Sequence, residues 1–116
     1  MRFIAGLLLV LVIGNASEAF AQDLRSANYL LPACRDFASD TPHPNSDPFL
    51  RGVCAGIIRG LVQVDGRTCV PEGVKVGQTM RVVLLYIDNQ PARHHEDFVK
   101  LALEAIRNAW PCNVIR

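Results

Sequence analysis

Cysteine is the residue type with the clearest chemistry in this chain of 116 residues, which has four: Cys34, Cys54, Cys69 and Cys112. Zinc sites normally use closely spaced ligand pairs such as Cys-x-x-Cys, whereas these cysteines are 20, 15 and 43 residues apart. An even number of cysteines in a small exported domain is typical of disulfide bonds. We therefore predict two disulfides, although spacing alone leaves all three pairings open.

The histidines and carboxylates do not form a catalytic or metal-binding pattern. His94 and His95 are adjacent, and adjacent residues of a helix point about 100° apart, so they are poorly placed to bind one metal ion. Glu96 and Asp97 fall in the predicted first turn of the last helix, where carboxylates suit the helix dipole. The sequence has no nucleophile elbow and no phosphate-binding loop. We predict neither catalysis, nor a metal, nor a cofactor.

The amino terminus has the three parts of a secretory signal peptide. Arg2 is positively charged, Phe3–Ile13 is an unbroken apolar run, and Ala19-Phe20-Ala21 is a cleavage site of the small-x-small type. The alternative, a retained membrane anchor, would need about 20 apolar residues. We expect residues 1–21 to be a signal peptide cleaved near Ala21 and residues 22–116 to be one mature domain. That domain should be periplasmic or secreted, without membrane contact after cleavage.

The charge balance excludes one class of partner. Twelve Lys and Arg residues against 11 Asp and Glu residues give a formal net charge of +1, and no basic run is present. Proteins that bind nucleic acid through its phosphates need a basic surface. We therefore expect no nucleic-acid partner.

Apolar residues recur every three or four positions along most of the mature chain, which predicts helices. Ser26 and Asp47 are predicted N-caps, and Pro32 predicts a kink in the first helix or a later start. Val74–Ile87 also resembles a strand by its β-branched content, but one strand would have no partner to pair with. The sequence predicts an all-α, compact four-helix domain, with helices at about Leu24–Ala38, Asp47–Val62, Val74–Ile87 and Ala92–Trp110.

This topology favours one disulfide pairing. If the first two helices are antiparallel neighbours, Cys34 late in the first meets Cys54 early in the second. If the last two helices are also antiparallel, Cys112 at the end of the fourth approaches Cys69 just before the third. We predict Cys34–Cys54 and Cys69–Cys112.

Three glycines, Gly52, Gly56 and Gly60, recur every fourth residue and so lie along one line of the second helix. Phe49 belongs to the stripe that we expect this helix to bury. Each helical glycine costs about 0.8–1 kcal/mol relative to alanine, so packing should offset it. We predict that another helix crosses closely over this line; the alternative is a ligand-binding groove.

The cysteines and their neighbours resemble the Rap/Tai immunity-protein family. The residues that carry the resemblance are Cys34, the stretch Phe49–Asp65 with Cys54, Gly56 and Gly60, the run Cys69-Val70-Pro71-Glu72-Gly73-Val74, Gln78, Tyr86, Pro91, His95, and Ala105 through Trp110-Pro111-Cys112. The resemblance covers about Ser26 to Cys112. It implies a helical, disulfide-bonded periplasmic protein that binds and blocks a peptidoglycan amidase toxin of type VI secretion. Relatives that work as homodimers also imply a homodimer.

The resemblance further implies that the turn before the last helix contacts the toxin. In this chain the predicted contact residues of that turn are Asp88, Asn89, Gln90, Arg93 and His94. Arg93 is the first candidate for a binding hot spot, because arginine is enriched among interface anchors. The loop from Thr41 to Asp47, stiffened by Pro42 and Pro44, is the second candidate region.

Two other functions fit a small exported helical domain. One is a periplasmic acid-stress chaperone similar to the HdeA type, which would expose apolar surface in acid. The other is a small secreted ligand-binding domain that uses the glycine line as its groove. A chaperone would lose tertiary structure and bind a hydrophobic dye in acid, whereas an immunity protein would not.

Overall fold

The computed structural model describes residues 24–113, and this part of the chain folds into four α-helices without a β-strand. A short 3₁₀-helix, Pro91–Arg93, precedes the last α-helix. The predicted all-α fold with four helices is confirmed, whereas the predicted signal peptide lies outside the described residues. The helices are α1 (Ala27–Ala38), α2 (Pro48–Val64), α3 (Val76–Asp88) and α4 (Phe98–Ala109).

The first two helices begin where their capping residues predict. The Ser26 hydroxyl accepts a hydrogen bond from the backbone N–H of Tyr29 at 3.3 Å, and the Asp47 carboxylate accepts one from Phe49 at 2.9 Å. Each side chain satisfies an N–H group that has no partner inside its own helix. Pro32 lies inside α1 without ending it, so the later start that we considered does not occur.

The last helix begins six residues later than predicted, at Phe98 rather than at Ala92. The Asp97 carboxylate accepts a hydrogen bond from the N–H of Val99 at 2.8 Å, which makes Asp97 the N-cap and not a residue of the first turn. The predicted helical placement of His94, His95 and Glu96 is therefore wrong. Their backbone instead runs beside the first turn of α1 and bonds to it.

The core is formed mainly by α1, α3 and α4, while α2 contributes only two fully buried side chains, Cys54 and Ile58. The expected burial of Phe49 is wrong, because 74% of its surface is exposed. The largest fully buried side chain is Phe98, the first residue of α4.

Both predicted disulfides are confirmed. Cys34–Cys54 joins α1 to α2 inside the core, with both cysteines fully buried. Cys69–Cys112 ties the segment before α3 to the end of α4, where the N–H of Cys69 also donates to the carbonyl oxygen of Trp110 at 2.9 Å. By the chain-entropy estimate each cross-link stabilises the fold by roughly 3–4 kcal/mol.

The predicted close packing over Gly52, Gly56 and Gly60 is wrong. A Cβ atom added to any of the three would have no atom of another helix or loop of the described chain within 4 Å. Gly52 and Gly56 are exposed, and no part of residues 24–113 lies over the line that the three glycines form. A spacing of four residues defines a line on a helix, but it does not determine whether that line faces a neighbour or solvent.

Because no neighbouring element occupies the space beside these glycines, we predict that Gly56→Ala stabilises the protein. The added methyl group meets open space and reduces the entropy of the unfolded chain, so the free energy of unfolding should rise by about 0.5–1 kcal/mol. Urea unfolding followed by circular dichroism measures the change. A destabilised variant would show that a neighbour does approach this face.

Two phenylalanines at the starts of helices provide a second test. Phe98→Ala should lower the free energy of unfolding by about 3–5 kcal/mol, because it leaves a cavity in the core. Phe49→Ala should change it by about 0.5 kcal/mol or less, because that ring is mostly in water. Chemical denaturation of both variants tests this contrast, and equal losses would contradict the described core.

Candidate functional site

The predicted contact residues lie at the end of α3 and in the α3–α4 connection, which we define as residues 89–97. Apart from the 3₁₀-helix Pro91–Arg93, this connection has no regular structure. Its order therefore depends on side-chain contacts and on backbone bonds to other elements.

Arg93 is the centre of an ion-pair network inside the connection. Its Nε lies 2.6 Å from Glu96 Oε2, and its Nη1 lies 2.8 Å from Glu104 Oε2 on α4. Lys100 Nζ adds a second cation 2.8 Å from Glu96 Oε1, and the Tyr86 hydroxyl donates to Glu104 at 3.1 Å. Only 30% of the Arg93 side chain is exposed. Through its ion pair with Glu104, Arg93 holds the connection against α4.

The charges of this network stabilise one another. The hydrogen bond from Arg93, followed by that from Lys100, lowers the pKa of Glu96 to about 2. The pKa of Glu104 is also lowered, mainly by its hydrogen bond with Arg93. The same two carboxylates raise the pKa of Arg93 above its ordinary value. The network is therefore fully ionised at neutral pH.

Three other predicted contact residues also have partners inside the protein. Asp88 accepts two hydrogen bonds from the Arg35 guanidinium, at 2.5 and 2.7 Å, which lower the pKa of Asp88. Gln90 donates to the carbonyl oxygen of Tyr86 at 3.2 Å. His94 Nε2 lies 2.8 Å from the carbonyl oxygen of Ile87, and because a carbonyl only accepts, this ring nitrogen donates.

The surface that the connection presents to solvent differs from the predicted contact set. Asn89, Pro91, Ala92 and His95 are exposed. Of the five predicted residues, only Asn89 has no side-chain hydrogen bond within the described chain. Pro91 and Ala92 lie inside the predicted contact turn Asp88–His94 but were not singled out in it, whereas His95 lies outside that turn. The fixed φ angle of Pro91 is a signal for an ordered exposed turn.

The backbone of the connection bonds directly to α1. The N–H groups of Ala27 and Asn28 donate to the carbonyl oxygens of Glu96 and His94 at 2.9 and 2.8 Å. In return, the N–H of Phe98 donates to the carbonyl oxygen of Arg25 at 2.8 Å. These bonds give partners to N–H groups in the first turn of α1 and hold residues 94–98 in one position.

The second candidate region, from Thr41 to Asp47, has fewer contacts with the rest of the domain. The N–H of His43 donates to the Asp36 carboxylate at 3.2 Å, and His43 Nδ1 accepts from the N–H of Asn45 at 3.1 Å. Most of this loop is exposed. Its side chains lack a charge network like that of Arg93, which makes it the less constrained of the two regions.

The described residues contain no cluster of three or more histidine, cysteine or acidic side chains that could hold a metal ion. All four cysteines are in disulfides, so none is free to act as a nucleophile or ligand. Within residues 24–113 no helix combines the length and apolar character needed to cross a membrane.

The network predicts the acid response of the connection. Because the pKa of Glu96 in the folded protein lies below its ordinary value of 4.5, its ion pairs stabilise the fold above that pH and are lost as the pH falls toward about 2. The fold should therefore keep its near-ultraviolet circular dichroism and exclude a hydrophobic dye from pH 7 down to about pH 4. Loss of tertiary signal between pH 5 and 4 would contradict this and favour the acid-stress chaperone.

Comparison with known proteins agrees with the resemblance in the sequence. A family model described as Rap1a immunity proteins matches residues 26–112, which includes all four cysteines, every helix and the α3–α4 connection. No curated protein and no solved structure matches the chain. Because the family model covers most of the chain, the protein belongs to the Rap1a immunity protein family.

Proposed function

We propose that this protein acts in the periplasm and protects the cell by binding and inhibiting a peptidoglycan amidase effector of type VI secretion. Membership of an immunity-protein family supports a protein effector as the partner. The observation that carries the proposed mode of inhibition is the α3–α4 connection, an irregular segment that Arg93 holds in one conformation. In this proposal the connection enters the catalytic cleft of the amidase.

A fixed loop suits the inhibition of a hydrolase for a physical reason. Ordering a flexible loop on binding costs free energy, and a loop that is already ordered avoids most of that cost. Hydrolase inhibitors usually bind with little change in backbone conformation. The backbone bonds to α1 and the ion pairs to α4 supply this order before the partner arrives.

In this proposal, different residues of the connection contact the effector and position the loop. Asn89, Pro91, Ala92 and His95 are exposed and would contact the effector. Arg93 would act as a positioning residue, because its guanidinium already bonds to Glu96 and Glu104. This assignment differs from the initial hypothesis that Arg93 itself is the binding hot spot.

The proposal also places the protein in the periplasm. The signal-peptide pattern of residues 1–21 and the two disulfides both suit an oxidising compartment such as the periplasm. We propose that the protein acts by binding and not by catalysis. The homodimer implied by the family resemblance stays a prediction, which sedimentation of the purified protein would test.

Arg93→Ala tests the proposed function. The change removes the centre of the network and should weaken binding to the cognate amidase by about tenfold to a hundredfold, because the connection must then be ordered on binding. Arg93→Lys keeps the charge but loses the forked hydrogen bonds, so it should restore only part of the affinity. Arg59→Ala is a suitable control, since Arg59 is exposed on α2 and has no ion pair within residues 24–113.

The measurement is titration of oxidised mature protein, residues 22–116, against a panel of purified type VI amidases with peptidoglycan cleavage as the readout. Full inhibition by the Arg93→Ala variant at unchanged affinity would exclude Arg93 as the residue that positions the connection for inhibition. If no amidase in the panel is bound or inhibited by a folded, oxidised protein, the proposed amidase target is wrong.

A further inference from the structure

A second surface, separate from the exposed face of the connection, lies between α2 and α4. The two helices touch only lightly, and the space between them is an open groove of about 970 Å³. Leu30 of α1 forms part of its floor, and Leu24, the first described residue, lies at the edge. We call this the α2–α4 groove.

Each wall of the groove is a ridge of apolar side chains that recur every four residues along one helix. Phe49, Val53 and Ile57 on α2 are four residues apart, as are Val99 and Leu103 on α4. Residues four apart lie on one helix face, so each wall is an apolar row; the α2 row is about 12 Å long. Phe49 and Val99 are both exposed although they are large and apolar. Exposed apolar rows of this kind mark binding surfaces.

The shape of the groove favours a helix as its occupant. Sites for small molecules usually enclose most of their ligand. A ring as exposed as Phe49 shows that this wall is open to solvent, so an acyl chain lying here would keep one side in water. A second copy of the chain fits poorly, because two concave grooves that face each other cannot fill one another. An amphipathic α-helix, by contrast, lays its apolar stripe between two such rows.

The charges at the rim indicate the polar part of that helix. Lys100 and Arg107 are already paired with Glu96 and Asp65. Arg25, at the edge of the groove, is exposed and has no ion pair or side-chain hydrogen bond with any described residue. Among the described residues, Arg25 is thus the cation at the rim that has no charged partner, and a carboxylate on the occupant would complement it.

The groove is continuous with the α3–α4 connection. Glu104 lines the groove and also bonds to Arg93, while the backbone of Arg25 bonds to Phe98 directly after the connection. A partner whose cleft receives the connection would therefore have further surface close to the groove. An interface of ordinary size buries about 800 Å² on each partner, which is more than one short loop provides.

We propose that the α2–α4 groove binds one amphipathic α-helix of the effector, with its apolar stripe between the two rows and a carboxylate beside Arg25. This inference rests on the proposed function, since it gives the same effector a second contact. The connection would block the cleft, and the groove would add affinity and select among effectors.

The direct test uses a synthetic probe, so it does not depend on having identified the effector. The probe is a fluorescein-labelled amphipathic peptide of about five helical turns, with leucines along one face and a terminal glutamate; its matched partner has lysine in place of glutamate. Fluorescence anisotropy with the oxidised mature protein should give saturable binding that favours the glutamate peptide. Arg25→Glu should reverse this preference between the two peptides.

Two substitutions on α2 distinguish peptide binding in the groove from non-specific hydrophobic binding elsewhere on the surface. Phe49→Asp places a charge on the apolar wall and should weaken peptide binding by at least about tenfold. Val64→Asp is the matched control, because Val64 is 78% exposed on α2 but does not line the groove. It should leave the affinity unchanged. Circular dichroism checks that both variants remain folded.

The same variants titrated against an amidase that binds the protein distinguish the two proposals. Weaker effector binding by Phe49→Asp, with Val64→Asp unchanged, supports the groove as the second contact. If Arg93→Ala weakens the complex while Phe49→Asp does not, the groove inference is overturned and the proposed function stands. If no amidase binds but the peptide does, the helix site stands and the amidase effector is excluded as its occupant.

Two further results would overturn the inference outright. One is a peptide affinity that is undetectable or insensitive to Phe49→Asp. The other is sedimentation showing a dimer of the wild-type protein that Phe49→Asp converts to a monomer, because the groove would then belong to a second copy of the chain.

Discussion

The structure depends on how the first turn of α1 obtains partners for its backbone N–H groups. A helix leaves its first four N–H groups without internal acceptors, and in α1 two of them, from Ala27 and Asn28, donate to carbonyl oxygens of the α3–α4 connection. The bond from Phe98 back to Arg25 completes the link. The start of the described chain is thereby joined to the α3–α4 connection, and both the connection and the edge of the α2–α4 groove are held by this contact.

Ion pairs then fix the conformation of those parts of the α3–α4 connection that backbone hydrogen bonds do not fix. Arg93 can bond to Glu96 and Glu104 together because a guanidinium presents several donors in one plane. Both carboxylates keep some exposure, so solvent screening limits the strength of each ion pair. Their joint effect is geometric, since they select one conformation for a segment that lacks regular hydrogen bonding. A rigid, exposed turn is the result, with Pro91 and Ala92 at its surface.

Local signals in the sequence were sufficient for most of the fold. Apolar periodicity, the caps at Ser26 and Asp47 and the order of the four helices led to the observed elements and to both disulfides. The missed features depend on contacts between distant residues. The role of Arg93 requires Glu104, eleven positions away, to face it. No pattern in the sequence shows that Phe49, in the first turn of α2, lies on a face that no other described helix covers. The family match adds the kind of partner, but the residues that select it lie on surfaces that only the folded chain brings together.

The composition of α2 has a consequence for the motions of the domain. Three glycines weaken this helix, and only Cys54 and Ile58 anchor it fully in the core, the former through its disulfide to Cys34. We therefore expect α2 to open at a lower free energy than α3 and α4, which hydrogen exchange would measure. The disulfide works as a tether that limits how far α2 can swing away. The groove wall formed by α2 should then move more easily than the wall formed by α4, so we expect the groove to accept side chains of different sizes.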